Sequence, residues 1–181
     1  GLAWSPDGGT LYSADTMRRT IFARAYDVAT GAVGERRVHV EFATDHPDGI
    51  ATDVENHLWV AFWGTGEVRR LRPDGSVAER LSVPAPHVTS VAFAGDDLDV
   101  LVVTTATVAL SDEQLRDYPL SGRLFTARVD VPGVPVAHWA GSNSSTGLPA
   151  GSWTASALLH RDVTRRFCAT DRGDTNCLEL G

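Results

Sequence analysis

Short apolar runs, each broken by a polar turn, recur along the first 141 residues. GLAWSPDGGTLYSAD (1–15), GIATDVENHLWVAFW (49–63) and SVAFAGDDLDVLVVTTA (90–106) share one layout: an apolar run, a turn, and a second β-rich run. Their turns, Asp7-Gly8-Gly9, Glu55-Asn56-His57 and Asp96-Asp97, use residues that tolerate tight backbone geometry. A third strand follows in each unit: TIFARAYD (20–27), EVRRLRPDG (67–75) and RLFTARV (123–129). The fourth is expected in VGERRVHVEF (33–42), VAERLSVP (77–84) and VPVAHWAG (134–141), entered through Thr30-Gly31, Asp74-Gly75 and Pro132-Gly133. No helical period runs through these segments.

Four short antiparallel strands in each unit of about 40–50 residues make an all-β fold of propeller blades. A plain sandwich would not repeat the same four-strand unit. Rings of this kind typically take roughly four to eight blades, so three blades predict either part of a larger ring or half of an assembled one. Open blade edges then favour self-association. Gly1 opens in mid-pattern, which predicts a further segment upstream. The expected organisation is a partial propeller over 1–141 and an atypical tail over 142–181. In that tail SNSSTGLPAG (142–151) reads as a linker. WTASALLHRDVTRRF (153–167) reads as a short amphipathic helix or as disorder, with Leu159, Val163 and Phe167 at four-residue spacing.

Composition narrows the function. The 181 residues are 43% hydrophobic, with a net charge of -7. That balance argues against nucleic acid or an acidic membrane surface as partner, because both select basic patches. No apolar run approaches the roughly 20 residues of a membrane span, and no signal peptide is seen, so the expected location is cytoplasmic. Cys168 and Cys177 are too few for a disulfide framework and too isolated for a zinc site.

Asp48 is the residue with an unusual setting. Pro47 and Gly49 flank it in HPDGI, directly ahead of an apolar run. Inner strands of propeller blades line the axial channel, so a residue at a strand's start stands at the channel mouth. Pro47 fixes the entering φ and Gly49 permits close packing, which aims the carboxylate. The competing role is a turn aspartate bonded to its own backbone. Thr89 holds the equivalent place in the third unit, and with Ser90 and His46 it is expected to line the mouth. His57, His87 and His138 lack paired ligand spacing. Trp59 is expected in the blade core, and Arg69, Arg70, Arg72 and Arg80 on a solvated face. TVALSDEQLRDYP (107–119) is expected to hold a short helix near the pocket. The acids of DHPDGIATDVE (45–55) do not alternate as a calcium loop requires, and no nucleophile elbow occurs.

Over residues 1–141 the chain resembles the gluconolactonase/regucalcin/luciferin-regenerating-enzyme family, also called the senescence-marker-protein family. The resemblance is carried by GLAWSPDGGTLYSAD, HPDGIATDVENHLWVAFWGTGEVRRLRPDG, VTSVAFAGDDLDVLVVTTA, YPLSGRLF and GVPVAHWAG, in family order and spacing. It covers the family's second half. It implies a six-bladed parent that hydrolyses sugar lactones with one divalent metal ion (Ca, Zn, Mg or Mn). It also implies that Asp48 is both metal ligand and proton acceptor. The family's asparagine ligand would stand immediately before Gly1, and its glutamate ligand and substrate-binding arginine and asparagine further upstream. This chain would thus carry part of the site. Two other classes remain: a non-catalytic, calcium-binding regulatory propeller and a protein-interaction propeller.

Overall fold

A computed structural model of the chain describes residues 1–136, together with the backbone of 166–171 and 174–179. The first sheet contains β1 (Leu2–Trp4), β2 (Thr10–Asp15), β3 (Thr20–Ala25) and β4 (Arg37–Glu41), in that order. The second contains β5 (His46–Thr52), β6 (Leu58–Trp63), β7 (Glu67–Leu71) and β8 (Val77–Ser82). The third begins with β9 (Val88–Ala94) and β10 (Val100–Thr105). After α1 (Asp112–Asp117) it continues through β11 (Leu124–Arg128), β12 (Arg166–Asp171) and β13 (Asp174–Glu179). Every pairing is antiparallel. These sheets are the expected propeller blades, and β1, β5 and β9 are their successive first strands.

The second sheet explains why LWVAFW reads as a continuous apolar run. Side chains alternate between the two faces of a strand, and both faces of β6 are covered. Leu58, Val60 and Phe62 pack with Ala3, Tyr12 and Ile21 of the first sheet. Trp59 and Ala61 pack with Val91, Leu101 and Phe125 of the third. Edge-on ring contacts fasten each side, Phe42 to Phe62 at 5.0 Å and Trp59 to Phe93 at 6.2 Å. Full burial of an aliphatic or aromatic side chain contributes about 1.5–3 kcal/mol, so β6 is the shared wall of two cores.

First strands meet closely. A Cβ on Gly49 would lie 2.5 Å from Ser90 Cα, and one on Gly1 would lie 2.6 Å from the Ile50 nitrogen. Only glycine lets β5 approach β9 at this point. Four of the six expected turns put a Gly or Asn at positive φ, namely Gly8, Gly31, Gly75 and Asn56 (73°, 73°, 85° and 62°), whereas around Asp96-Asp97 the positive φ falls on Gly95 and Leu98 (84° and 54°).

Two readings are corrected, and a third falls mostly outside the described residues. The fourth place in the third sheet belongs to β12, not to 134–141. Residues 134–136 are not strand, and 137–141 lie outside the described residues. The backbone just before them is engaged elsewhere: Val54 N–H donates to Pro132 O (3.0 Å), and Val134 N–H donates to Thr52 O (3.2 Å). This segment therefore docks across the second sheet. The helix expected over 153–167 falls outside the described residues except at Arg166 and Phe167, which are strand. Lastly, Arg69 is 7% exposed rather than solvated, and the Arg70 side chain is 12% exposed. Backbone register sets Cys168 opposite Cys177. α1 lies within 107–119 as expected, closed by a Ser111–Gln114 capping box.

Candidate axial site

β5 starts earlier than the apolar run suggests, at His46, so Asp48 lies inside the strand rather than ahead of it. The ladder with β6 slips there. His46 and Pro47 face Trp63 and Phe62, and the next partners are Ile50 and Val60. Asp48 and Gly49 together oppose Ala61, which is a β-bulge, a device that re-aims a side chain at a strand edge. Because β5 is the edge of its sheet, Pro47 is tolerated without an N–H.

Asp48 is half-buried. No hydrogen bond or ion pair engages its carboxylate among the described residues. Burial pushes its pKa above the ordinary 3.8. A carboxylate partly withdrawn from water and left unpaired is unlike the turn aspartates of this chain. Asp7 is held below its ordinary value by the Ser5 hydroxyl and the Gly9 N–H, and Asp74 by the Ser76 hydroxyl and N–H. The turn role does not describe Asp48.

The remaining expected residues surround it unevenly. Ser90 lies against Gly49, one residue from Asp48. Thr89, half-buried, shares a 2.6 Å hydrogen bond with Thr104 on the adjacent strand. His46 stands opposite Trp63. Trp63 in turn stacks on His87, ring centroids 4.0 Å apart, a pairing that histidine spacing alone did not reveal. A shallow cleft of about 270 Å³ runs between the β6–β7 turn, the β8–β9 loop and Tyr118, and none of Asp48, His46, Thr89 or Ser90 lines it.

Two ion networks support β5, one at each end. Arg69 reaches Asp45 and Glu67, each at 2.6 Å, and lies 4.2 Å from the centre of the Phe62 ring. It thereby ties the loop before His46 to the second sheet. At the strand's far end, Asp53 accepts from Arg70 Nε (2.7 Å) and Trp59 Nε1 (3.0 Å). The Glu55 and His57 backbone N–H groups also donate to it, each at 3.0 Å.

A divalent cation of the kind the resemblance implies needs several oxygen ligands. Asp48 is a suitable donor, but no group of three or more His, Cys, Asp or Glu side chains converges among the described residues. These residues alone do not build a full coordination sphere.

Three antiparallel sheets, with β1, β5 and β9 as their successive first strands, define a β-propeller fold. The chain belongs to the SMP-30/gluconolactonase/LRE-like family, whose description matches residues 1–107. It is 40% identical to a 6-deoxy-6-sulfogluconolactonase of Pseudomonas putida, over 78% of this chain and 49% of that protein. Identity to a pentonolactonase of Haloferax volcanii is 38%, over 75% of this chain and 48% of the relative. Among solved structures, a regucalcin of Agrobacterium tumefaciens described as a calcium-binding protein superposes with a TM-score of 0.70. Identity there is 34%, covering 74% of this chain and 46% of that one. The chain spans about half the length of the relatives it matches. Sugar-lactone hydrolases are thus among its relatives. No helix among the described residues is long and apolar enough to cross a membrane.

Proposed function

We propose that the protein hydrolyses sugar lactones in a six-bladed parent propeller, with Asp48 accepting the proton of the attacking water. The observation that carries this reading is the half-buried Asp48 carboxylate on the β5 bulge, which has no partner among the described residues. A lactone is a cyclic ester. Water adds to its carbonyl carbon as its proton passes to Asp48. The ring C–O bond then breaks, and the proton returns to the departing alkoxide, giving the open hydroxy acid. Partial burial suits the role, because it raises the carboxylate's proton affinity. Asp48 would also be one oxygen ligand of a divalent cation, with the remaining ligands outside the described residues. When bound, such a cation polarises the lactone carbonyl.

The test is lactone hydrolysis by the intact protein, before and after chelation. Asp48→Asn keeps the side chain's size and one ligating oxygen, and removes the charge and the proton acceptor. Turnover should fall by about 10²- to 10⁴-fold while far-UV circular dichroism stays unchanged. Near-normal turnover would remove Asp48 from the site. The regulatory alternative is favoured by the calcium-binding regucalcin match. Calorimetric calcium binding without hydrolysis of any sugar lactone would support it.

A further inference from the structure

We infer that Trp63 is an aromatic wall beside the axial mouth that sets how tightly the non-reacting part of the substrate is held, with His87 as its positioning residue. This rests on the lactonase reading of the mouth. Trp63 closes β6 with its Cα opposite His46, two residues from Asp48. Its backbone also bridges to His87, at the entry to β9. One residue therefore links the entries of two neighbouring inner strands.

The indole is held firmly from below. The Trp63 and His87 rings are nearly parallel, at 14°. His87 is 8% exposed, and its Nδ1 lies 2.9 Å from the Val108 carbonyl. A carbonyl only accepts, so Nδ1 carries the hydrogen. A second bond, Ala106 N–H to His87 O at 3.0 Å, fixes the backbone of the same residue. Ring and backbone of His87 are thus both tied to the start of the β10–β11 loop.

The turn that follows Trp63 leaves room beside it. Trp63 is half-buried, and the next residue, Gly64, is exposed with no atom within 4 Å of where a Cβ would stand. The Trp63 indole N–H has no hydrogen-bond partner among the described residues, in contrast to Trp59, whose N–H is taken by Asp53. A flat apolar face with one free donor at its edge matches a polyhydroxylated ring, which offers C–H groups to the face and hydroxyl oxygens to the donor. The stacked pair adds binding shared by ground and transition states, so its loss should appear in KM rather than kcat.

The experiment uses the intact protein with gluconolactone as substrate and gluconate as non-reacting probe. Trp63→Leu should raise KM about 3- to 10-fold with kcat within about twofold. Trp63→Tyr, which keeps a ring and a polar edge, should recover most of that loss. His87→Phe keeps a ring beneath the indole and should retain KM, whereas His87→Ala should follow Trp63→Leu. Gluconate should change the tryptophan fluorescence of the unsubstituted protein, and Trp63→Phe should abolish the change. Calorimetric binding of gluconate with no fluorescence response, or an unchanged KM in a folded Trp63→Leu variant, overturns the inference and leaves the lactonase reading standing. Absence of both hydrolysis and gluconate binding overturns both.

Discussion

Replacing Asp53 by alanine removes the acceptor on which one end of β5 is built. The residue is fully buried (0% exposed), and its two oxygens accept four hydrogen bonds, from Arg70, Trp59, Glu55 and His57. Removing one partner of a buried ion pair costs about 3–5 kcal/mol, because the other charge remains without compensation. Two features place this case within that range. The Arg70 cation keeps Glu55 at 2.7 Å, but that carboxylate is 55% exposed and holds it weakly. The Trp59 indole N–H is left in a site where the residue is 1% exposed, and an unsatisfied buried donor costs about 1–3 kcal/mol. A loss of about 3–4 kcal/mol is expected.

Asp53→Asn should cost nearly as much, although its shape is conserved. Its amide group must turn either its NH₂ or its oxygen toward Arg70 and Trp59, and so cannot serve the backbone donors equally. Denaturant unfolding of the intact protein, followed by circular dichroism, measures both. Arg70→Leu placed on Asp53→Ala should recover roughly 1–3 kcal/mol, since it removes the orphaned cation. Losses under about 1 kcal/mol for both single variants, or no coupling in the double variant, would refute the argument.

Other outcomes follow from the same geometry. Gly49→Ala forces a Cβ against the Ser90 backbone, so it should destabilise by about 1–3 kcal/mol and lower hydrolysis by displacing Asp48. Ser90→Gly should relieve the first loss only in part, because the Ser90 Cα remains in the way. Burial raises the folded-state pKa of Asp48 above 3.8, so folding favours its protonated form. Asp48→Asn should therefore match the unsubstituted protein's stability below that pH. With chelator present, it should become the more stable of the two as pH rises from 3.8 through the folded value, which thermal unfolding across a pH series would show. The exposed Leu2, Trp4 and Val38 (61%, 41% and 58%) leave apolar surface on the first sheet, so the isolated chain should self-associate. A stable monomer in sedimentation velocity at micromolar concentration would count against it.

The repeat was legible because its signals are local. An alternating or continuous apolar run, a polar turn and a second run each lie close together in sequence, and the turns at Gly8, Gly31, Asn56 and Gly75 took the positive φ values their residues suggest. Readings failed where the deciding partner is distant in sequence. Arg69 and Arg70 look like a solvated pair, yet adjacent residues of a strand face opposite sides. Here one meets Asp45, 24 residues away, and the other Asp53, 17 residues away. Val134-Pro135-Val136 has a strand's composition, but the backbone leading into it is bonded to Thr52 and Val54 of the neighbouring sheet.

Asp48 falls between these cases. Pro47 and Gly49 marked the place, because each restricts or frees the backbone in a way a regular strand does not need. They could not show that the irregularity is a bulge within the strand, since that depends on which β6 residues pair with His46, Pro47 and Ile50. Nor could they show that Gly49 is demanded by β9, whose Ser90 occupies the space of a side chain. The same approach that requires glycine brings two first strands together beside Asp48. A carboxylate merely closing a turn would be bonded to its own backbone, as Asp7 and Asp74 are. Asp48 has no such bond among the described residues, and it lies half-buried beside the close approach of β5 to β9, which is the ground for the role proposed for it.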